Sequence, residues 1–168
     1  MTAPEMRIPL ILGMVGMLAI AACQQETAPS APDYEAELGS AFDTYIEVWN
    51  NKNYEQIEGI FMEDFVRVAP DQSVEGRDAL IEFMRQVHAT YPDFRITLGE
   101  RAYAKDLSFN EWTATGTLTG EDGTTTPFET DGITMMRYRD GKITHEIVKY
   151  DTAAMADELG VDEVPHAE

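Results

Sequence analysis

The sequence predicts an α+β domain in which three helices come first and an antiparallel sheet follows. Before Pro92, apolar residues recur at steps of four, three and four and share one helix face: Leu38, Phe42, Tyr45 and Trp49. After Pro92, β-branched and aromatic residues dominate, and glycine-containing turns divide the chain into strand-length segments. Helices and strands that are segregated along a chain, rather than alternating, are typical of an α+β domain.

The helical half divides into three segments. Asp33 is the predicted N-cap of the first helix, which should end near residues 50–51. A short second helix is predicted over 54–61 and a brief strand over 65–68, after which Gly76 begins the third helix. The apolar side of that helix is formed by Leu80, Phe83, Met84 and Val87.

Four long strands are predicted over residues 94–104, 111–119, 128–139 and 142–150. Asp140-Gly141 between the last two is a strong hairpin signal. The sheet must curl around the helices to cover its apolar face, so we expect a cone-shaped cavity. A curved, mainly antiparallel sheet of four to six strands fits this pattern.

Cys23 is the only cysteine, and it follows a segment that has the character of an export signal. Arg7 precedes an apolar run of about 13 residues, 8–20, whereas a membrane-spanning helix needs about 20. The alternative is a buried core helix with an ordinary buried cysteine. Such a helix should have polar residues on one face, and this run has none.

The four residues Ile20-Ala21-Ala22-Cys23 resemble the lipobox of bacterial lipoproteins. The resemblance implies that residues 1–22 form a signal peptide, that Cys23 is lipidated, and that the protein is anchored in the bacterial envelope. Gln24 follows the cysteine, which favours the outer membrane, facing the periplasm, over the inner membrane. Residues 23–33 are polar and rich in proline and alanine, which indicates a flexible tether.

The charge of the chain limits its partners. It carries 31 acidic and 12 basic residues, with a net charge of −19, and residues 162–168 form an acidic tail. This balance argues against nucleic acid and anionic lipid surfaces as partners. It favours an acidic, soluble exterior over a cationic partner. A single cysteine leaves no intrachain disulfide.

Five short segments in this order resemble the SnoaL-like group of the NTF2-like superfamily: residues 75–80 (EGRDAL), 91–94 (YPDF), 112–117 (WTATGT), 140–143 (DGKI) and 150–151 (YD). The resemblance covers residues 34–161. It implies a cone of three helices against a curved sheet, a short C-terminal helix, and often a homodimer through the outer face of the sheet.

Members of this superfamily include polyketide cyclases, ketosteroid isomerases, dehydratases and proteins that only bind, so the fold alone does not give the function. The resemblance places Val148, Leu118 and Ala69 where relatives carry acid/base residues. None of these side chains can transfer a proton, so we do not expect the inherited mechanism. Tyr45 aligns with the tyrosine of the isomerases.

Glu146 is the remaining candidate for a general base, with Tyr45 as hydrogen-bond donor. Glu146 and His145 are adjacent on a strand, so their side chains point to opposite faces. We expect Glu146 to face inward with Val148 and Tyr150. A buried Glu146 would have a raised pKa and could act as a base. The alternative is a structural ion pair with an arginine, Arg67 or Arg137.

The predicted ligand-binding residues are Trp49, Arg67, Trp112, Met136 and Tyr150. Aromatic residues at these spacings either fill the core or line an apolar cavity with a few polar groups. No metal or cofactor is expected, since the three histidines are scattered and no metal-binding spacing or phosphate loop is present. His88 is expected to face solvent, and His166 lies in the acidic tail.

Three functions remain open. The first is an envelope-anchored domain that binds a small apolar or amphipathic ligand, or a partner, without the family's acid/base chemistry. The second is a cyclase, isomerase or hydrolase that uses Glu146. The third is a protein-interaction module that uses the outer face of the sheet.

Overall fold

The computed structural model describes residues 33–165. The predicted signal peptide, lipidated Cys23, nearly all of the tether and His166 lie outside the described residues. Four α-helices are present: α1 (Tyr34–Asn51), α2 (Ile57–Ile60), α3 (Arg77–Thr90) and α4 (Thr152–Leu159), with a 3-10 turn over Tyr54–Gln56. Within residues 33–165, no helix is both long and apolar enough to cross a membrane.

The six strands form one sheet, as predicted. They are β1 (Phe61–Val68), β2 (Val74–Glu75), β3 (Arg95–Ala104), β4 (Leu107–Thr119), β5 (Thr125–Arg139) and β6 (Lys142–Tyr150). Their order across the sheet is β2-β1-β6-β5-β4-β3. Every neighbouring pair is antiparallel except β1 and β6, which run parallel. The α+β fold with a mainly antiparallel sheet is therefore confirmed.

Local signals explain the ends of α1 and the β5–β6 hairpin. The Asp33 side chain accepts a hydrogen bond from the backbone N–H of Ala36 at 3.1 Å, which caps the helix. Lys52 adopts a left-handed conformation and closes the other end of the helix. Asp140 and Gly141 both have positive φ, 54° and 74°, as a tight hairpin turn requires.

The predicted second helix is confirmed over residues 54–60, as the 3-10 turn followed by α2, and is wrong only at Phe61. Only one turn of α-helix forms, and Phe61 already belongs to β1, where it pairs with Ile143 of β6. Phe61 and Phe65 are both fully buried and their rings meet at 4.6 Å. A spacing of four residues fits one face of a helix and one face of a strand equally well. The pairing with β6 decides between the two.

The prediction that His88 faces solvent is also wrong. His88 is buried between α1 and the start of β3, and its ring contacts Trp49 and Phe94. Its Nε2 lies 2.8 Å from the carbonyl oxygen of Trp49, and its Nδ1 lies 2.8 Å from the Tyr54 hydroxyl. His88 follows Met84 by four residues, so the helical period places it on the buried face. Two hydrogen bonds satisfy the ring there.

Two hydrophobic clusters lie between the helices and the sheet. The first contains the buried face of α1 and α3 together with Phe61, Phe65 and Ile143. The second is formed by Tyr91, Phe128, Met155, Ala156, Leu159 and Val164. Helix α4 packs its Met155 and Leu159 into this second cluster. The C-terminal helix therefore covers the second cluster.

Candidate functional site

A cavity of about 110 Å³ lies between the helices and the inner face of the sheet. Its walls are mostly aromatic and aliphatic and include residues of both hydrophobic clusters: Phe42, Trp49, Phe83, Tyr91, Phe94, Trp112, Phe128 and Met155. A few polar side chains also line it: Tyr45, Arg67, Asp71, Thr134, Glu146 and Tyr150. An apolar cavity with a few polar groups is the usual composition of a small-molecule site.

Two of these polar side chains, Tyr45 and Arg67, contact Glu146 on the inner face of β6. The Tyr45 hydroxyl donates a hydrogen bond to Glu146 Oε2 at 3.2 Å. The Arg67 Nε lies 3.5 Å from the same oxygen. Both contacts that the described residues make with this carboxylate use Oε2, so Oε1 remains available to a molecule in the cavity.

Arg67 is held more closely by Asp71 than by Glu146. The two terminal nitrogens of Arg67 lie 3.1 and 3.2 Å from the carboxylate oxygens of Asp71, and one of them donates to the Gln72 carbonyl at 2.6 Å. The guanidinium also lies over the Phe83 ring, 4.4 Å from its centroid. The orientation of Arg67 is therefore fixed mainly by three groups, the Asp71 carboxylate, the Gln72 carbonyl and the Phe83 ring. Glu146 contributes only weakly to it.

Burial sets the acid/base character of this site. Burial raises the pKa of Glu146 to about 7, although the charge of Arg67 and the hydrogen bond from Tyr45 act in the opposite direction. Burial, together with the neighbouring Glu146 charge, raises the pKa of Tyr45. Near neutral pH, Tyr45 is thus a donor, and Glu146 exists in both protonation states.

Trp112 of β4 also lines the cavity, and its indole is held in place on two sides. Its Nε1 donates to the Thr134 hydroxyl at 2.9 Å. The ring lies across Gly132 on β5, where a Cβ would overlap it. Tyr150, paired with Gly132 across β5 and β6, lies 6.0 Å from the Trp112 ring.

The structure brings most of the predicted site residues together. Six of them line the cavity: Tyr45, Trp49, Arg67, Trp112, Glu146 and Tyr150. Met136 does not; it is fully buried beside Glu146 in the sheet, as a core residue. Glu146 is paired with Arg67, while Arg137 is exposed on the outer face with His145.

Sequence reasoning missed several residues of the walls, including Asp71, Tyr91, Phe94 and Phe128. Asp71 follows Arg67 by four residues across the Ala69-Pro70 turn, a spacing that could have suggested the pair. Tyr91 belongs to the YPDF segment, which carries the family resemblance and gives no local sign of a cavity. Met155, Val164 and Pro165 line the cavity as well, and no local pattern marks them.

Of the three positions at which the resemblance places the acid/base residues of relatives, one lines the cavity. Val148 lines the cavity, whereas Leu118 and Ala69 are partly buried and are not among the lining residues. Among residues 33–165, no group of histidine, cysteine, aspartate and glutamate side chains is arranged to hold a metal ion. Two carboxylates line the cavity, Asp71 and Glu146, and Asp71 is the one more closely paired with Arg67.

The family model of the SnoaL-like domain matches residues 42–146, more than half of the 168-residue chain. The chain therefore belongs to the SnoaL-like domain family, within the NTF2-like superfamily. No curated protein matches it significantly.

Solved structures share this fold at low sequence identity. IdmH, a candidate polyketide cyclase from Streptomyces antibioticus, is 23% identical over 73% of this chain and 98% of its own, with a TM-score of 0.65. A candidate SnoaL-like polyketide cyclase from Jannaschia sp. CCS1 is 15% identical over 79% and 97%, with a TM-score of 0.67. A candidate polyketide cyclase from Bacillus cereus is 20% identical over 80% and 88%, with a TM-score of 0.68. At these identities the likeness establishes the fold alone.

Proposed function

We propose that this protein binds a small apolar or amphipathic molecule in the cavity between its helices and its sheet. The observation that carries the proposal is an aromatic-lined cavity with hydrogen-bonding groups gathered at Glu146. Apolar walls favour a ring or short chain, while Tyr45 and Oε1 of Glu146 orient its polar end. An engineered dry cavity of about 150 Å³ holds one benzene, so a volume of about 110 Å³ suits a ligand of about one ring.

The two tryptophans of the chain, Trp49 and Trp112, both line the cavity, so tryptophan fluorescence reports on its occupancy. We expect cyclohexanone and toluene to change the fluorescence saturably and to raise the unfolding temperature. The variant Ala114→Leu fills the cavity and should abolish both effects; Ala102→Leu, at an exposed position, is the control. No saturable response in the folded parent protein would contradict the proposal.

We also propose that the domain is anchored in the bacterial envelope through a lipid on Cys23. The lipobox-like segment supports this proposal, and two or more acyl chains give stable anchoring. The full-length protein, expressed in a bacterial host, should fractionate with membranes, and Cys23→Ser should release it into the soluble periplasmic fraction. Unchanged membrane fractionation of the variant would contradict the anchor.

A second candidate function is acid/base catalysis by Glu146, of the cyclase, isomerase or hydrolase type. Three observations favour it: Glu146 lines the cavity, its pKa is raised to about 7, and Tyr45 supplies a donor. The contact with Arg67 at 3.5 Å favours the structural role instead. We therefore place binding first and catalysis second.

Glu146→Gln separates the two functions because it keeps the shape of the side chain and removes the base. The ligand would first be identified by native mass spectrometry of the protein purified from its own envelope. A catalytic role predicts that the parent protein converts this molecule and that the variant loses at least about a hundredfold in rate. Binding alone predicts that neither protein converts it.

We propose that the outer face of the sheet contacts a second copy of this protein in a homodimer. One apolar row crosses this face through paired residues of four strands: Val68, Ile147, Met135 and Phe109. The next row begins with Glu111 and ends with Lys149, so a two-fold copy would place opposite charges together. Phe109 is 49% exposed, and Phe109→Glu should convert a dimer into a monomer in sedimentation measurements. A monomeric parent protein would contradict this contact.

A further inference from the structure

Tyr91 is one of the residues that line the cavity, and its hydroxyl has no hydrogen-bond partner among the described residues. The residue is 3% exposed, and its hydroxyl oxygen makes no hydrogen bond with any residue of the described part of the chain. Burial raises the pKa of Tyr91 to about 12, so the hydroxyl keeps its proton and remains a donor. A buried donor without an acceptor destabilises a fold, and phenylalanine would fill the same space without that cost. Packing therefore explains the ring of Tyr91 and leaves its hydroxyl unexplained.

Tyr91 and Glu146 belong to different parts of the cavity wall. The Tyr91 ring packs against Phe128, with 5.0 Å between centroids, in the cluster that α4 covers. Tyr45, the donor to Glu146, belongs to the other cluster, formed with α1 and α3. The cavity is lined by residues of both clusters. A molecule that fills it can thus meet one polar group in each.

The charges around Glu146 indicate what kind of molecule fits. Arg67, the cation next to Glu146, already forms an ion pair with Asp71 and a longer one with Glu146. An anionic ligand would meet two carboxylates, and a cationic ligand would meet a buried guanidinium. A charged ligand would lose its hydration without gaining a free counter-charge. A neutral ligand avoids both costs.

We infer that the hydroxyl of Tyr91 is a second polar contact for the ligand, and that the ligand is a neutral ring compound with a hydrogen-bonding oxygen group at each end. One group meets Glu146 and the other accepts a hydrogen bond from Tyr91. This inference rests on the proposed function, because it assigns the chemistry of the molecule that occupies the same cavity.

Tyr103 offers a matched control. Its hydroxyl is also buried without a hydrogen-bond partner among the described residues, but Tyr103 is not one of the cavity-lining residues. Its hydroxyl faces Gly39 on α1 instead. Tyr103→Phe therefore removes the same atoms as Tyr91→Phe, at a place that no ligand in the cavity reaches.

The experiment compares the parent protein, Tyr91→Phe and Tyr103→Phe by calorimetric titration with three probes: toluene, phenol and 4-(hydroxymethyl)phenol. These probes carry no, one and two polar ends. We expect the parent protein to bind the two-ended probe most tightly. Tyr91→Phe should bind that probe about threefold to tenfold more weakly, which corresponds to the loss of one neutral hydrogen bond. The affinity of Tyr91→Phe for toluene should equal that of the parent protein. The affinity of Tyr103→Phe should equal that of the parent protein for all three probes.

Stability measured without ligand completes the test. Tyr91→Phe should be as stable as the parent protein or more stable, because it removes an unsatisfied donor. Equal affinity of the parent protein and Tyr91→Phe for the two-ended probe would overturn the inference while leaving the proposed function intact. A destabilised Tyr91→Phe with unchanged probe selectivity would also overturn it, by showing that water satisfies the hydroxyl. If the parent protein bound none of the probes, the proposed function would fall, and this inference with it.

Discussion

Asp71 holds both terminal nitrogens of Arg67, at 3.1 and 3.2 Å. Nε of Arg67 lies farther from the Glu146 carboxylate, at 3.5 Å. Asp71 therefore competes with Glu146 for the guanidinium of Arg67. The cost of burying Glu146 exceeds the attraction of Arg67, and the pKa of Glu146 is raised to about 7.

The first prediction concerns Asp71→Asn, which should lower the pKa of Glu146. The substitution removes a negative charge near Glu146 and frees the guanidinium to approach it, and both effects favour the ionised carboxylate. The titration midpoint can be followed by infrared difference spectroscopy against Glu146→Gln. Asp64→Asn, which removes a surface partner of Arg139, is the control and should leave the midpoint in place. An unchanged or higher midpoint in Asp71→Asn would show that Asp71 does not control Glu146.

The second prediction concerns stability as a function of pH. The pKa of Glu146 is raised from 4.5 to about 7 on folding, so the folded state binds the additional proton in this window. The free energy of unfolding contributed by this group is complete below pH 4.5 and is lost as pH rises to about 7, by about 3 kcal/mol at most.

Glu146→Gln cannot ionise, so its stability relative to the parent protein should increase from pH 4.5 to pH 8. Urea unfolding at several pH values measures this difference. The comparison between the two proteins cancels the titration of the many other carboxylates. A difference that stays constant with pH would contradict the raised pKa.

The third prediction concerns His88, whose pKa is lowered by burial. The neutral ring donates through Nε2 to the Trp49 carbonyl and accepts through Nδ1 from the Tyr54 hydroxyl. Because the folded state resists protonation of His88, the contribution of His88 to the free energy of unfolding is complete above about pH 6.5. It is lost as the pH falls below that value. His88→Gln should cost about 1–2 kcal/mol at pH 8 and less at pH 5.5. His145→Gln, at an exposed position, should cost little at either pH, and an equal loss in both variants would refute the assignment.

The fourth prediction concerns Gly132→Ala. The new Cβ would overlap the Trp112 ring, so the indole must move and its hydrogen bond to Thr134 is lost. We expect a loss of about 2–4 kcal/mol and a changed tryptophan emission spectrum. Gly59→Ala is the matched control, since a Cβ there has nothing within 4 Å. A Gly132→Ala protein with unchanged emission would show that the ring is not confined as described.

Much of the fold could be predicted because its signals are local. The cap at Asp33, the apolar face of α1 and the Asp140-Gly141 turn each depend on a few neighbouring residues. Alternation along β6 also predicted that Glu146 faces inward and His145 outward, as observed. Two predictions are wrong, the end of the second helix and the exposure of His88. In the first the local pattern fits two structures, and in the second the residue type and the helical position disagree. Phe61 fits both a helix and a strand. His88 has a polar side chain, which favours solvent, but its position in the helical period belongs to the buried face.

The sequence by itself determined the order of helices and strands, the faces they bury and the family to which the chain belongs. Tertiary structure alone decided which polar groups meet in the cavity. Tyr45 and Glu146 are 101 residues apart along the chain, and they meet because α1 packs against the inner face of the sheet. The unpartnered hydroxyl of Tyr91 likewise depends on how distant segments pack around the cavity, whereas the pair of Arg67 and Asp71 is local in the sequence. Local periodicity reports which side of an element is buried, whereas the partner found there is set by the packing of the whole domain.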